Sequence, residues 1–435
     1  MIQIYTKRQS TRLKYVATFI LESILKEKVE FIDDDGNLNN NLPVIWYDSS
    51  EPTNGSYLQI RPHEFIVEKG VSDHSIQVGE WKDHPIFFKT SEEGFPFDIF
   101  SASFYLISRY EEYLPHKTDK HERFSAEQSI AFEHDFLKRP LVDEWAYLLQ
   151  NEIKSLNPNW NPATRKFKYV STVDVDTAFA FKGKGVIRTT GALLRDAAFF
   201  DTKAVKERVR VIAGADTDPY DVFQYLIDLK EEFDHPMIFF FLLGDYDVND
   251  KNIPHWSPAF RSIIKHVNDY ALTAIHPSYA STTDSSKILT EIKRLKNITH
   301  MPITKSRQHF LKIQLPKTYR NLIEADIQDD YSMAYASHSG FRASTCTPFR
   351  FYDLDLELET DLRVHSFPLM EATYKYYKHQ TPDQALELMK PVVDKVKAVN
   401  GILYTTWHND SLSEHGEWKG WRKLYEQLLK YIHEA

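Results

Sequence analysis

The sequence predicts an α/β protein in two parts: a smaller α/β domain over residues 1–155, and a run of parallel strands joined by crossover helices over residues 165–435. Three observations carry this. Through the second part, short apolar runs alternate with amphipathic segments, and that β-then-α rhythm calls for parallel strands, arranged as an open sheet or a barrel. The stretch from Asn151 to Lys166 is rich in Pro and Asn and keeps neither a helical nor a strand period, which sets a boundary near residue 160. The chain has 435 residues, 42% apolar and 14% aromatic, enough for two or so domains.

The first part opens with a helix over Arg12–Lys26. Short strand candidates such as Pro43–Asp48 follow, then an aromatic-rich helical stretch from Phe97 to Tyr113. Beyond the boundary the expected order is strand Tyr169–Val173, helix Asp221–Phe233, strand Met237–Leu243, helix Ser257–Asp269, strand Leu272–Ile275, helix Ser285–Lys296 and strand Gln308–Ile313. Gly401-Ile-Leu-Tyr-Thr-Thr forms a last apolar strand. No internal repeat or low-complexity tract interrupts the pattern.

Composition narrows the function. A net charge of -9 without a long basic run argues against nucleic-acid binding driven by phosphate neutralisation. The opening Met-Ile-Gln-Ile-Tyr-Thr-Lys-Arg lacks the apolar core of a signal peptide, and no run of about 18 apolar residues occurs. The expectation is a cytoplasmic protein without a membrane span; the sequence leaves its oligomeric state open. The single cysteine, Cys346, forbids an internal disulfide and a cysteine-rich zinc site, leaving Asp, Glu and the 18 histidines to hold any metal.

The chemistry gathers at strand ends, where parallel α/β folds place their sites. Lys168-Tyr-Val-Ser-Thr-Val-Asp174-Val-Asp176 ends a strand in two carboxylates whose i, i+2 spacing puts them on one face. Like charges that close repel unless a cation sits between them or one is protonated; taken alone, such a pair also caps turns. His276 follows Leu272–Ile275. Arg307 and His309 repeat the i, i+2 spacing, so a site that one faces the other faces as well. Trp407-His408-Asn409 closes the last strand.

In this order, on a βα chain, the motifs resemble the polysaccharide deacetylases of the NodB-homology type, carbohydrate esterase family 4, over about residues 165 to 435. Gly340-Phe-Arg342-Ala-Ser-Thr-Cys-Thr-Pro-Phe and Ser103-Phe-Tyr-Leu-Ile-Ser-Arg-Tyr-Glu-Glu-Tyr-Leu-Pro115 look like a bacterial subgroup in which a domain of unknown function precedes the barrel. The resemblance implies a distorted (β/α) barrel. It also implies a metal-dependent hydrolase that removes an acetyl or similar acyl group from an N-acylated sugar or polysaccharide precursor. On this sequence it assigns Asp174 as general base, Asp176 and His276 as metal ligands, Arg307 as the group orienting the base and His408 as general acid. The metal would be divalent, zinc first, with cobalt, nickel, manganese or iron as alternatives. Arg342, Tyr279 and Trp407 are the expected substrate contacts.

The pattern departs from the family at one position. Four residues on from His276, where a second metal histidine belongs, stands Ala280. A catalytic metal site normally takes three protein ligands, so His309 is the candidate substitute and Ser281 the second choice. The aspartate that should tune the acid histidine is not securely placed; Asp330 and Arg342 are the nearest polar candidates. Two other classes compete. A non-catalytic carbohydrate-binding relative would show such a decayed site and would stack sugars on its 24 Tyr and 8 Trp. A glycoside hydrolase needs carboxylates about 5 Å or more apart across a bond, which Asp174 and Asp176 fit poorly.

Overall fold

A computed structural model describes residues 1–434 apart from 40, 53–56, 93, 186–187 and 193–201. The N-terminal part is built on a parallel sheet of β1 (Ile2–Tyr5), β2 (Val29–Ile32), β3 (Val44–Trp46) and β4 (Leu58–Gln59) in the order β2-β1-β3-β4. The helix expected from Arg12 starts one residue earlier, because the Ser10 side chain caps it by accepting from the Leu13 amide; it covers Thr11–Thr18 and continues as a wider turn over Phe19–Ile24. An antiparallel hairpin, β5 (Gly79–Trp81) and β6 (His84–Ile86), precedes the aromatic helix. That helix covers only Ile99–Ile107, since Arg109 turns into the left-handed region at φ 56° and the chain leaves the helix there.

The stretch expected to be a connector, Asn151 to Lys166, is in part helical. Helix Leu141–Leu156 takes in the first six residues of the presumed connector, because its apolar stripe of Trp145, Leu149 and Ile153 continues at four-residue spacing. The two parts pack against each other through one continuous apolar cluster, and buried polar bridges cross between them. Asp143 accepts from Arg165, Thr345, Thr347 and the Cys346 amide. Glu112 bridges Arg109 and Arg342; burial pushes its carboxyl up, but the two guanidiniums outweigh that and bring it down to about 2.

The second part is a nine-stranded sheet of β7 (Lys168–Val175), β8 (Met237–Phe241), β9 (Leu272–Ile275), β10 (Lys305–Ser306), β11 (Asp329–Met333), β12 (Phe349–Asp353), β13 (Leu358–Ser366), β14 (Leu369–Met370) and β15 (Ile402–His408). Strands β7 to β11 pair in parallel in chain order, and β13 continues the series beside β11. After Phe367 and Pro368 the same chain segment becomes β14 and pairs with β15, which returns to β7. One segment therefore changes partner midway and links the two flanks, the strand succession of a partly closed seven-stave barrel. β12 lies antiparallel outside it, on β13.

Period-two alternation fills the inside of this ring with a second apolar cluster, including Ile238, Phe240, Ala274, Tyr331, Met370 and Tyr404. The outward residues join the larger cluster beneath the helices. The strand expected at Gln308–Ile313 is absent: β10 ends at Ser306 and His309–Leu311 form a tight turn in which Phe310 and Leu311 both have positive φ, 60° and 51°. Among the described residues no helix is long and apolar enough to cross a membrane.

Candidate active site

The site grows from the inward-facing rows of β7 and β15. These strands are in register, pairing Thr406 with Thr172 and His408 with Asp174, and the two threonine hydroxyls meet at 3.2 Å inside the ring. One alternation further along, Asp174 and His408 occupy the same face at the carboxyl end of the barrel. Asp176 follows just beyond the strand. In the same way Ala274 belongs to the interior cluster, and His276, two residues on, points inward from the end of β9.

The buried Arg307 guanidinium organises the base side. Nη1 donates to Asp174 Oδ1 at 2.8 Å and Nε to the Tyr331 carbonyl at 2.9 Å, while the guanidinium carbon lies 4.4 and 4.8 Å from the ring centroids of Phe240 and Phe367. With Oδ1 committed, Asp174 keeps Oδ2 towards the cavity, 4.0 Å from His276 Nε2.

Asp176, His276 and His309 bring one ligand atom each within 4.8 Å of one another. His276 Nε2 lies 3.3 Å from Asp176 Oδ1, and His309 Nε2 lies 3.4 Å from Asp176 Oδ2. Donors about 2.0–2.2 Å from a tetrahedral ion stand about 3.3–3.6 Å apart; each imidazole meets a different oxygen of Asp176 at such a distance, and one donor atom from each residue lies within 4.8 Å of the others, a spacing that a divalent cation could draw together. The other ring nitrogens are engaged behind the site: His276 Nδ1 with the Arg307 carbonyl, His309 Nδ1 with Asp250 Oδ1 at 2.8 Å. That arrangement turns both Nε2 atoms forward, as ligating imidazoles require. Asp176 Oδ1 is buried without a hydrogen-bond partner, and such a carboxylate oxygen calls for a cation. Burial pushes Asp176 up, but His309 and His276 outweigh it and hold the carboxyl well below its usual range; burial lowers His309, but Asp176 and Asp250 raise it to about 9. The residues fit a metal, and between the two carboxylates His309 carries the positive charge that a metal ion would supply.

Ser281, the second choice for the missing ligand, does not line the cavity that holds the other groups. Its hydroxyl donates to the Ser278 carbonyl at 2.6 Å inside a buried turn. The Ala280 and Tyr279 amides donate to Asp250, the same carboxylate that holds His309. The loop without a second histidine and the turn that supplies one are thus fastened together.

On the acid side, His408 Nδ1 and the His408 amide both meet Glu371 Oε1, at 2.8 and 2.7 Å. Burial lowers the imidazole, but Glu371 outweighs it and the group is raised well above its usual value. Asp330, the residue expected to tune it, instead bonds Ser306 and Ser332 in the barrel wall. Asp410 lines the same cavity, its carboxyl pushed up by burial to about 6 despite His408.

These groups surround a cavity of about 290 Å3 whose other walls include Phe310, Leu311, Met370, Tyr376, Tyr377 and Trp418, with Arg123 reaching in from the N-terminal part. Of the expected substrate contacts, Trp407 is buried on the outward row against Tyr425, because neighbours of the inward His408 must point out. Tyr279 stands against His121 and Phe310, outside this cavity. Arg342 lines an adjoining cavity that shares Arg123, Ala336 and Tyr377 with the first, but its guanidinium is bound to Glu112. Asp250, Glu371 and Asp410 were not anticipated. The acidic run Asp245-Tyr-Asp-Val-Asn-Asp250 just after β8 is the one sequence signal that pointed to any of them.

Comparison with known proteins adds the following. A family of unknown function, DUF7033, matches residues 2–158. No curated protein matches. Among solved structures, a protein from Mycobacterium smegmatis named as a candidate polysaccharide deacetylase aligns at 15% identity and a TM-score of 0.39, covering 62% of this chain and 86% of that one. A polysaccharide deacetylase from Bacillus cereus aligns at 13% identity and 0.31, over 62% and 88%. A CE4 family pseudoenzyme from Bacillus anthracis aligns at 10% and 0.29, over 61% and 63%. Likeness at these scores carries no inference about this chain.

Proposed function

We propose that the chain is a metal-dependent hydrolase that removes an acetyl or similar acyl group from an N-acylated sugar, such as a polysaccharide precursor. The observation that carries the proposal is the convergence of Asp176, His276 and His309 beside an aspartate and a histidine that are each held by a charged partner. Asp176, His276 and His309 would hold the ion, which when bound supplies a Lewis acid for the carbonyl and acidifies water. Asp174 Oδ2 accepts the proton of the attacking water, and Arg307 keeps Oδ1 fixed so that Oδ2 alone is presented. An amine leaves poorly unless protonated, and His408, whose Nδ1 is occupied by Glu371, donates that proton from Nε2. Tyr376, exposed on the cavity wall and backed edge to face by the buried Trp418 at 5.3 Å, offers an apolar face on which a sugar ring stacks.

The test combines metal analysis of protein purified without chelator with acetate release from a panel of N- and O-acetylated sugars. The expected result is a divalent ion at about one per chain and release from an N-acetylated member. Neither metal nor release from any member would overturn the hydrolase in favour of a carbohydrate-binding protein.

A further inference from the structure

The turn that presents His309 closes with its own main-chain bonds, from Leu311 to Gln308 at 2.9 Å and from Lys312 to His309 at 3.3 Å, yet carries strained backbone. Phe310 and Leu311 occupy the left-handed region in succession, a conformation that non-glycine residues keep only when their surroundings impose it. Asp250 holds the His309 ring and the Pro277 carbonyl accepts from the His309 amide, but the side chains that grip Phe310 and Lys312 come from the N-terminal part. Arg123 Nη1 donates to the Phe310 carbonyl at 2.6 Å, and the same guanidinium is aimed by Asp119, which accepts from Arg123 Nε at 2.8 Å. The neighbouring residues grip the same segment. The His121 ring stands 4.9 Å from Phe310 and 5.8 Å from Tyr279, and Glu122 pairs with Lys312 at 2.7 Å. Three consecutive side chains therefore hold the turn that carries His309, and one of them, His121, also touches the loop that follows His276.

We propose that the loop over residues 119–123 is a clamp for the metal centre, with Arg123 as the positioning residue that fixes the His309 turn. The clamp makes the N-terminal region, which matches a family of unknown function, a working part of the site. It rests on the assignment of Asp176, His276 and His309 as metal ligands, and is independent of which acyl group is cleaved. Freed from Arg123, the turn relaxes towards ordinary backbone angles and carries the His309 ring away from Asp176.

The test uses the full chain, stripped of metal, titrated with Co2+ and followed by visible absorption, and with Zn2+ in competition with a chromophoric chelator. Arg123→Ala is expected to weaken binding by about ten- to a hundredfold, the loss typical of a group that orients a ligand, and to change the shape of the Co2+ spectrum. Arg123→Lys, which keeps a donor for the Phe310 carbonyl, recovers part of both. His121→Ala, at a partly exposed ring, gives a smaller loss in the same direction and decides the matter if Arg123→Ala does not fold. Wild-type affinity and spectrum in Arg123→Ala and His121→Ala would overturn the clamp. Failure of the unmodified chain to bind either ion would instead overturn the ligand assignment on which the clamp rests.

Discussion

His309 and His408 have nearly the same local chemistry and opposite uses. Each stands at the mouth of the barrel, each is held through Nδ1 by a carboxylate at 2.8 Å, Asp250 or Glu371, and each is raised in spite of burial. The difference lies on the cavity side. His309 Nε2 faces a second carboxylate, Asp176, at 3.4 Å and has His276 beside it, with ring centroids 5.0 Å apart. Among the described residues His408 is paired with one carboxylate, Glu371, while Asp176 and Asp174 act on it from farther off. Two carboxylates around an imidazole define a seat for a cation; one carboxylate behind it defines a store for a proton.

Asp174, the proposed base, is where substitution has the largest expected effect. Asp174→Asn keeps the bond from Arg307 but removes the proton acceptor, so turnover should fall by roughly two to four orders of magnitude with metal content unchanged. Loss of metal from this variant would show that Asp174, not Asp176, belongs to the seat. Next in size, His408→Ala should slow amide substrates by about a hundredfold or more while sparing activated esters, because an aryloxide departs unprotonated. Equal losses on the two substrate types would remove His408 from proton donation and leave it no different from a structural histidine.

What could be read from the sequence follows the same divide. Asp174, Asp176, His276 and His408 were legible because period-two alternation and the strand-end rule fix them without knowledge of any partner. His309 was selected by a strand spacing that does not exist; a strained turn brings it to the site instead. Asp250 and Glu371 act across 59 and 37 residues of chain, and no local period reports such a pairing. The expectation for Trp407 runs against the same alternation that turns His408 into the cavity. The Arg342 expectation failed because a buried guanidinium needs its own counter-charge, and Glu112 from the other half of the chain provides it.

A smaller effect separates the cation seat from its scaffold. Asp250→Asn should cost about ten- to a hundredfold in metal affinity, since it loosens His309 and the loop after His276 together. Ser281→Ala should leave affinity within about twofold and lower stability by about 1 kcal/mol, the worth of its hydrogen bond to Ser278. Chelator competition and thermal unfolding on both variants would check the contrast. A metal loss in Ser281→Ala matching that in Asp250→Asn would return Ser281 to the ligand set.

The smallest of the three effects on turnover lies at Glu371 and fixes the sign of the proton store. Glutamine at this position can still accept from His408 Nδ1 and from its amide, so the ring keeps its place, but the charge that raises it is gone. Burial, which lowers His408, then meets less opposition, and the imidazole loses its proton at lower pH than in the unmodified chain. A general acid must be protonated before the amine departs, so activity is present below the His408 pKa and is lost as pH rises through it. Glu371→Gln should therefore shift the alkaline limb of the kcat/KM profile to lower pH, with a loss of about tenfold near neutrality that shrinks as the solution is made more acidic. The profile on an amide substrate measures this directly. An alkaline limb that stays in place would mean that another group donates the proton, and Asp410, already raised to about 6 in the same cavity, would be the one to test.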